Sequence, residues 1–330
     1  MNLHQKKILS SIPSFLSDEE IQAFGVYDNV IPDTSTNVWD GSKGWKSARR
    51  WQRKSWLFFG AYSADIFVGF AMVDAGFLGK AFCYVYRPKT GELLENGLNR
   101  PFAFESNFEA NLNSYWQLGQ YEIFTQKGQM HFNFKGKKFQ LSIQCANNEH
   151  GLSFLCPSSG GYRPFHSTYK NLLLPTNIQL KQAGETQFFN QLHSGIDFSK
   201  GYPPKHTHWN WTSFLGKLDD GTPIGINVVD QFNQNMENVV WVGTERILIG
   251  NVGYQYNKPL TKSIWKVRSL NGDLELRMQA KGARKENINV KFLKSKFTQV
   301  FGQIEGKIRH QGSWKKLTGY GVMEEHEAIW

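Results

Sequence analysis

From Phe139 to Cys145 apolar and polar residues alternate without a break: Phe139, Leu141, Ile143 and Cys145 against Gln140, Ser142 and Gln144. Side chains that alternate with a period of two stand on opposite faces of a strand, so this stretch can bury one face only as β-structure. It follows Phe132 and Phe134 across Lys135-Gly136-Lys137, which reads as a hairpin. A second hairpin has Trp265 and Val267, a turn at Asn271-Gly272, then Leu274, Leu276 and Met278 alternating with Glu275, Arg277 and Gln279. Asn-Gly suits such a turn because both central residues need positive φ. Residues 53–62, 65–74 and 82–86 read as further apolar strands, and short strands recur with turn signals throughout. Strands alternating with long amphipathic helices are absent, which disfavours a doubly wound α/β fold. The expectation is an all-β chain with few short helices. One of these starts at the capping box Ser17-Asp-Glu-Glu20, runs to Phe24 and is stopped by Gly25.

With 330 residues the chain has room for two domains of ordinary size. Cys156-Pro-Ser-Ser-Gly-Gly161 and Pro164 form a run of breakers near the midpoint, which predicts domains over 1–165 and 166–330. Each half holds enough short strands to close into a barrel and remove its exposed edges. Three cysteines, an odd number without Cys-x-x-Cys spacing, argue against a disulfide framework and a cysteine-based zinc site. No apolar run is long enough to span a bilayer, and the N-terminus lacks the apolar core of a secretory signal, so a cytoplasmic location is expected. The formal net charge is +10, but the basic residues are scattered and no nucleic-acid motif accompanies them. A solvated basic surface is the first reading; attraction to an anionic membrane surface or ligand is the second.

The densest chemistry lies in residues 197–211. Asp197, Gly201 and Pro203-Pro204 give turn chemistry, and a β-prone run follows. As a strand, it puts His206, His208 and Asn210 on one face and Thr207, Trp209 and Trp211 on the other. The tryptophans are expected to point into the interior of the second domain, where they fill the barrel or line an apolar cavity.

Thr207-His-Trp209-Asn-Trp211, Gly225-Ile-Asn227 and the tail segments 299–306 and 321–330 resemble the domain-of-unknown-function family 2804. So do Arg50…Lys54-Ser-Trp56 and Asp74-Ala-Gly76 nearer the start. That family is similar to a lipocalin-like superfamily that includes carotenoid hydratases, fungal polyketide-chain cyclases and lipid-binding proteins. The resemblance implies two tandem lipocalin-like β-barrel domains with a ligand cavity in or between them. Matching Trp209 to the tryptophan of the carotenoid hydratases puts Thr207 where they carry a histidine, so the expected acid is absent from that place.

The resulting expectation is binding of an elongated hydrophobic ligand: a lipid, fatty acid or isoprenoid. The alternative is a hydratase, isomerase or cyclase that needs no cofactor and acts on a polyene or polyketide-like chain. Ligand-binding candidates are Lys54, Trp56, Asp74, His206, Thr207, His208, Trp209 and Trp211. Lys54 or the histidine face would fix a polar end, and the tryptophans would supply contact area. Catalytic candidates are Asp197, Glu245 and His208, since burial beside an apolar strand would bring a carboxyl toward neutrality. For Glu324 and Glu325 pairing with Arg or Lys is the default. His206-x-His208 has the same-face spacing of two metal ligands, but no third ligand stands at diagnostic spacing, so no metal is expected. Nothing resembles a phosphate-cradling loop or a nucleophile elbow, and no cofactor is implied.

Overall fold

The computed structural model describes residues 8–9, 24–36, 51–103, 106–108, 111–147, 149–158, 165–290 and 293–329. The fold is all-β: two curled, barrel-like sheets, with helix confined to short pieces such as the 3-10 turns Asn233–Asn235 and Leu260–Lys262. Of the helix expected over 17–24, all but Phe24 lies outside the described residues. No helix among the described residues is long and apolar enough to cross a membrane.

Both hairpins read from the alternation are present. Gln129–Lys135 pairs antiparallel with Phe139–Ala146, putting Phe132 opposite Ile143 and Phe134 opposite Leu141. Ile264–Ser269 pairs with Leu274–Gln279, and Gly272 in the turn has φ +77°. In the first sheet the order through its middle is Leu78–Arg87, Phe67–Asp74, Lys54–Tyr62, Glu185–Gly201, Phe165–Gln182, Phe139–Ala146 and Gln129–Lys135. In the second it is Val239–Val242, Pro223–Asp230, His206–Leu218, Ser313–Ile329, Leu293–His310, Leu274–Gln279 and Ile264–Ser269, with Gly282–Val290 branching from Leu293–His310. Each sheet curls around its own core. Phe59, Phe70, Trp116, Phe132 and Ile143 are among the residues buried in the first, and Phe214, Ile226, Trp265, Leu276 and Ile304 among those in the second.

The sheets change between Gly201 and His206, so a division at residue 165 does not separate them. Phe165–Gln182 and Glu185–Gly201 both belong to the first sheet, and the latter zips onto Lys54–Tyr62 from Ser194 opposite Ala61 to Gly201 opposite Lys54. The breakers after Cys156 join two antiparallel strands of that sheet, Leu152–Pro157 and Phe165–Gln182. The strands on either side of the breakers thus belong to one sheet.

A third apolar cluster forms where the two sheets face each other. Phe67, Tyr84 and Tyr86 of the first sheet pack around Phe301 of the second, and Tyr84 stacks on it with centroids 5.1 Å apart. A bulge shapes this contact. Leu172 belongs to the intersheet cluster and Leu174 to the first barrel's core, although simple alternation would put both on one face. The ladder shifts register between them, and Leu173 takes φ +62°. The extra residue lets Lys170 and Leu172 look outward at the second sheet while Leu174, Ile178 and Leu180 look inward.

Gly225 lies against the bulge. A Cβ added there would sit 2.8 Å from Leu172 Cβ and 3.3 Å from Leu173 Cγ. The Gly225→Ala variant is expected to force the sheets apart locally and lose about 1–3 kcal/mol in urea unfolding, the usual range for overpacking. Unchanged stability would mean the bulge yields freely.

Candidate functional site

A pocket of about 160 Å³ lies in the contact between the sheets and is partly open to solvent. Lys54–Tyr62 contributes Trp56 and Phe58, His206–Leu218 contributes Trp209 and Trp211, and Phe232 covers one side. Phe232 packs 5.1 Å from Trp209 and 6.2 Å from Trp56, and Phe58 meets Trp211 edge-on at 5.5 Å.

Trp209 and Trp211 do share a face, but it is the outer face of the second barrel. The inward positions of that strand belong to Asn210, Thr212 and Phe214. Asn210 donates to Tyr256 Oη at 3.0 Å, Thr212 meets Tyr254 Oη at 2.8 Å, and Phe214 is in the core. The expected interior placement is thus reversed, because the first sheet covers the face that a lone barrel would expose.

Glu324 sits on the neighbouring strand, with Trp211 opposite Glu324 and Trp209 opposite His326 in the ladder. The Trp209 indole N–H donates to Glu324 Oε1 at 3.0 Å, and Gln299 Nε2 donates to Oε2 at 2.9 Å. The Tyr84 hydroxyl holds Gln299 in turn, donating to its Oε1 at 2.6 Å. Glu324 is 5% exposed, and burial pushes its carboxyl up to about 7 against the pull of its two donors. His326 Nδ1 lies 4.0 Å from Glu324 Oε1. Burial pushes that imidazole down to about 3, so it is neutral at physiological pH. The Arg or Lys partner expected for Glu324 is therefore replaced by neutral donors.

A second polar group stands on the first sheet's side. Lys170 is opposite Asp197 in the ladder and ion-pairs with it, and its Nζ also lies 2.7 Å from Glu237 Oε2. Ser199 Oγ donates to Asp197 at 3.0 Å, and Asn233 Nδ2 donates to Glu237 Oε1 at 2.7 Å. Burial lowers the affinity of Lys170 for its proton, but the two carboxylates outweigh it and hold the ammonium charged. Glu237 is raised above the usual carboxylate range by burial, with Lys170 opposing and Asp197 adding to the rise. At the rim Lys80 pairs with Glu286, and Arg284 lies 3.0 Å from Glu286 and 3.9 Å over the Phe82 ring.

A family model described as a domain of unknown function, DUF2804, matches residues 14–330. The chain belongs to the DUF2804 family. Among solved structures, a candidate ATTH protein from Nitrosomonas europaea superposes with a TM-score of 0.57 at 12% identity, over 83% of this chain and 92% of that one. Kievitone hydratase from Nectria haematococca gives 0.56 at 12% identity, over 90% and 95%. A search of the curated proteins finds no match. At these identities the likeness is one of fold, and the DUF2804 chain has an all-β, two-barrel architecture.

Of the residues singled out in the sequence, the DUF2804 pocket brings together Trp56, Asp197, Trp209 and Trp211. The others lie elsewhere. Lys54 is buried under the Trp51–Gly76 corner, donating to the carbonyls of Trp51 and Ala75, and burial pushes it down to about 8. Asp74 pairs with Arg53 at 3.0 Å and accepts from Gly76 N at 2.9 Å. Thr207 is buried on the tryptophan face outside the pocket wall. Exposed His206 pairs with Glu327 at 3.2 Å, and half-buried His208 pairs with Gln231 at 3.0 Å, outside the pocket wall. Glu245 is bonded to His310 at 2.9 Å, far from the pocket wall. Among the described residues no three His, Cys, Asp or Glu side chains cluster to hold a metal ion.

Lys170, Glu237, His326 and Arg284 were not singled out as site residues. Alternation could not have found Glu324, since Met323 and Glu325 set an apolar residue and a carboxyl on the opposite face just as Val322 and Glu324 do on this one.

Glu324 gives a pH-dependent stability term. Its folded value, about 7, lies above the 4.5 of the unfolded chain. The stabilisation is therefore complete below about pH 4.5 and disappears as pH rises through about 7. Glu324→Gln should be more stable than the wild type at pH 8 and lose that advantage at pH 5. The full difference is on the order of 3 kcal/mol. Parallel urea curves for the two proteins at both pH values would show Glu324 to be solvated.

Proposed function

We propose that the DUF2804 chain binds a largely apolar molecule in the pocket between its two barrels, with a hydrogen-bonding end at Glu324. The observation that supports this is a wall of aromatic rings that carries, beside the paired charges of Lys80, Lys170 and Arg284, one buried carboxyl with no charged partner among the described residues. Ligand sites have this composition: apolar contact for affinity and a few fixed polar groups for orientation. A volume of about 160 Å³ is close to that of an engineered cavity of roughly 150 Å³ that takes benzene. A ring or a short unsaturated segment fills it. A lipid, fatty acid or isoprenoid would seat one end there and extend through the open side.

The test is to purify the protein without detergent, extract it with organic solvent and identify released molecules by mass spectrometry. A stoichiometric apolar compound is expected from the wild type and a reduced yield from Trp209→Ala. Equal yields, or quenching of tryptophan fluorescence by no apolar probe, would remove the reading.

One observation favours a second, catalytic reading. A carboxyl that exchanges its proton near neutral pH, facing rings that attract a developing cation, has the properties of a general acid for a carbon–carbon double bond. A cofactor-independent hydratase, isomerase or cyclase would use Glu324 in this way. The fold is shared with a protein named kievitone hydratase, which supports testing hydration first. Activity found on any polyene or polyketide-like chain should vanish in Glu324→Gln while the compound still binds.

A further inference from the structure

We propose that the part of the ligand that enters the pocket carries a positive charge on nitrogen, as an alkyl- or arylammonium group. The inference rests on the binding reading above and names the class of molecule bound.

Two observations carry it. The pocket is lined by four carboxylates, Asp197, Glu237, Glu286 and Glu324, against three cations, Lys80, Lys170 and Arg284. Lys170 is held between Asp197 and Glu237, and Lys80 and Arg284 both pair with Glu286. Arg284 Nε also lies 3.6 Å from Glu95. Every cation is thus committed to a carboxylate other than Glu324, and the pocket is one positive charge short when all four carboxyls, Glu324 included, are ionised. The second observation is the wall itself. Trp56, Trp209, Trp211, Phe58 and Phe232 present rings to the same space, and indole faces attract an organic cation more strongly than other side-chain rings do. A compact, weakly hydrated ammonium would satisfy the rings and the carboxylate together, whereas a neutral ligand would leave the carboxylate to take up a proton.

Binding of a cation should then follow the ionisation of Glu324. Asp197 from the Glu185–Gly201 strand opposes that ionisation and Arg284 from Gly282–Val290 favours it. His326 on the same strand as Glu324 is neutral, held so by burial and by Lys80, His208 and Arg284, and Tyr62 and Tyr84 of the first sheet face Glu324 as neutral phenols, Tyr84 also through its bond to Gln299. Affinity for an ammonium should rise between pH 6 and pH 8, and affinity for a neutral compound should not.

The experiment compares benzyltrimethylammonium with its uncharged isostere neopentylbenzene, titrated into the intact protein by tryptophan fluorescence and ligand-observed NMR. At pH 8 the ammonium should bind about tenfold more tightly, a preference supplied by the Glu324 carboxylate while the rings offset the charged probe's dehydration. The preference should shrink at pH 6 and be lost in Glu324→Gln, which keeps its affinity for neopentylbenzene. Glu324→Asp should retain part of the preference, and the wild-type pH series tests the inference even if a variant fails to fold. Equal binding of the two probes at pH 8 would overturn the cation inference and leave the apolar-binding reading standing. Binding of neither would overturn both. A preference that survives in Glu324→Gln would place the attracting charge elsewhere and also overturn the inference.

Discussion

Replacing Lys170 by methionine is expected to cost about 3–5 kcal/mol at neutral pH, the penalty for breaking a buried ion pair by removing one partner. The lysine side chain is 4% exposed and Glu237 is 3% exposed, so water cannot stand in for the missing ammonium. Two carboxylates would then face each other in the contact between the sheets. Glu237 already resists ionisation because of burial and Asp197, and it would lose the one charge that opposes this. A carboxyl raised in the folded state stabilises below its unfolded value and stops doing so as pH rises through its folded value. The deficit of Lys170→Met should therefore grow between pH 5 and pH 8. Adding Asp197→Asn or Glu237→Gln should recover part of it. Urea unfolding at the two pH values measures both effects. A loss below about 1 kcal/mol at pH 8 would mean the cluster behaves like a surface ion pair.

That cluster also shows what a linear reading can reach. The alternation over 139–145 specifies a strand and its buried face, because period and burial are local properties. The strands expected over 53–62 and 65–74 appear as Lys54–Tyr62 and Phe67–Asp74 for the same reason. Lys170 and Glu237 meet only because a bulge at Leu173 turns one residue outward and a loop after Pro223–Asp230 returns from the other sheet. Nothing local marks either event. Leu173 is an ordinary leucine in a run of three, and its positive φ is imposed by what packs on both sides. The boundary near 165 failed through the same blindness, since glycine and proline report a turn but not which strands it joins. The sorting of residues 206–211 was legible, whereas which side faced the neighbouring sheet was not. A strand's two faces differ by what covers them, and that is a property of the other half of the chain.

The same geometry separates two tryptophans that look equivalent in sequence. Trp211 is 9% exposed, donates to Asn227 Oδ1 at 2.8 Å and packs edge-on against Phe58 of the first sheet. Asn227 in turn donates to the Glu237 carbonyl at 2.8 Å, so the ring is tied to the loop that carries the Lys170 partner. Trp211→Ala should remove packing, leave Asn227 without its donor and cost roughly 3–5 kcal/mol, as for other large aromatic truncations. Trp209 is only half-buried, and its ring edges the pocket between Phe232 and His326. An open wall has less packing to lose, so Trp209→Ala should melt several degrees above Trp211→Ala. It should nevertheless bind apolar probes weakly, because the ring and the Glu324 donor disappear together. Thermal melts of both variants beside one fluorescence titration distinguish the roles. Should Trp209→Ala melt as low as Trp211→Ala with its probe affinity intact, both rings are scaffold and the pocket loses its aromatic wall as a binding surface.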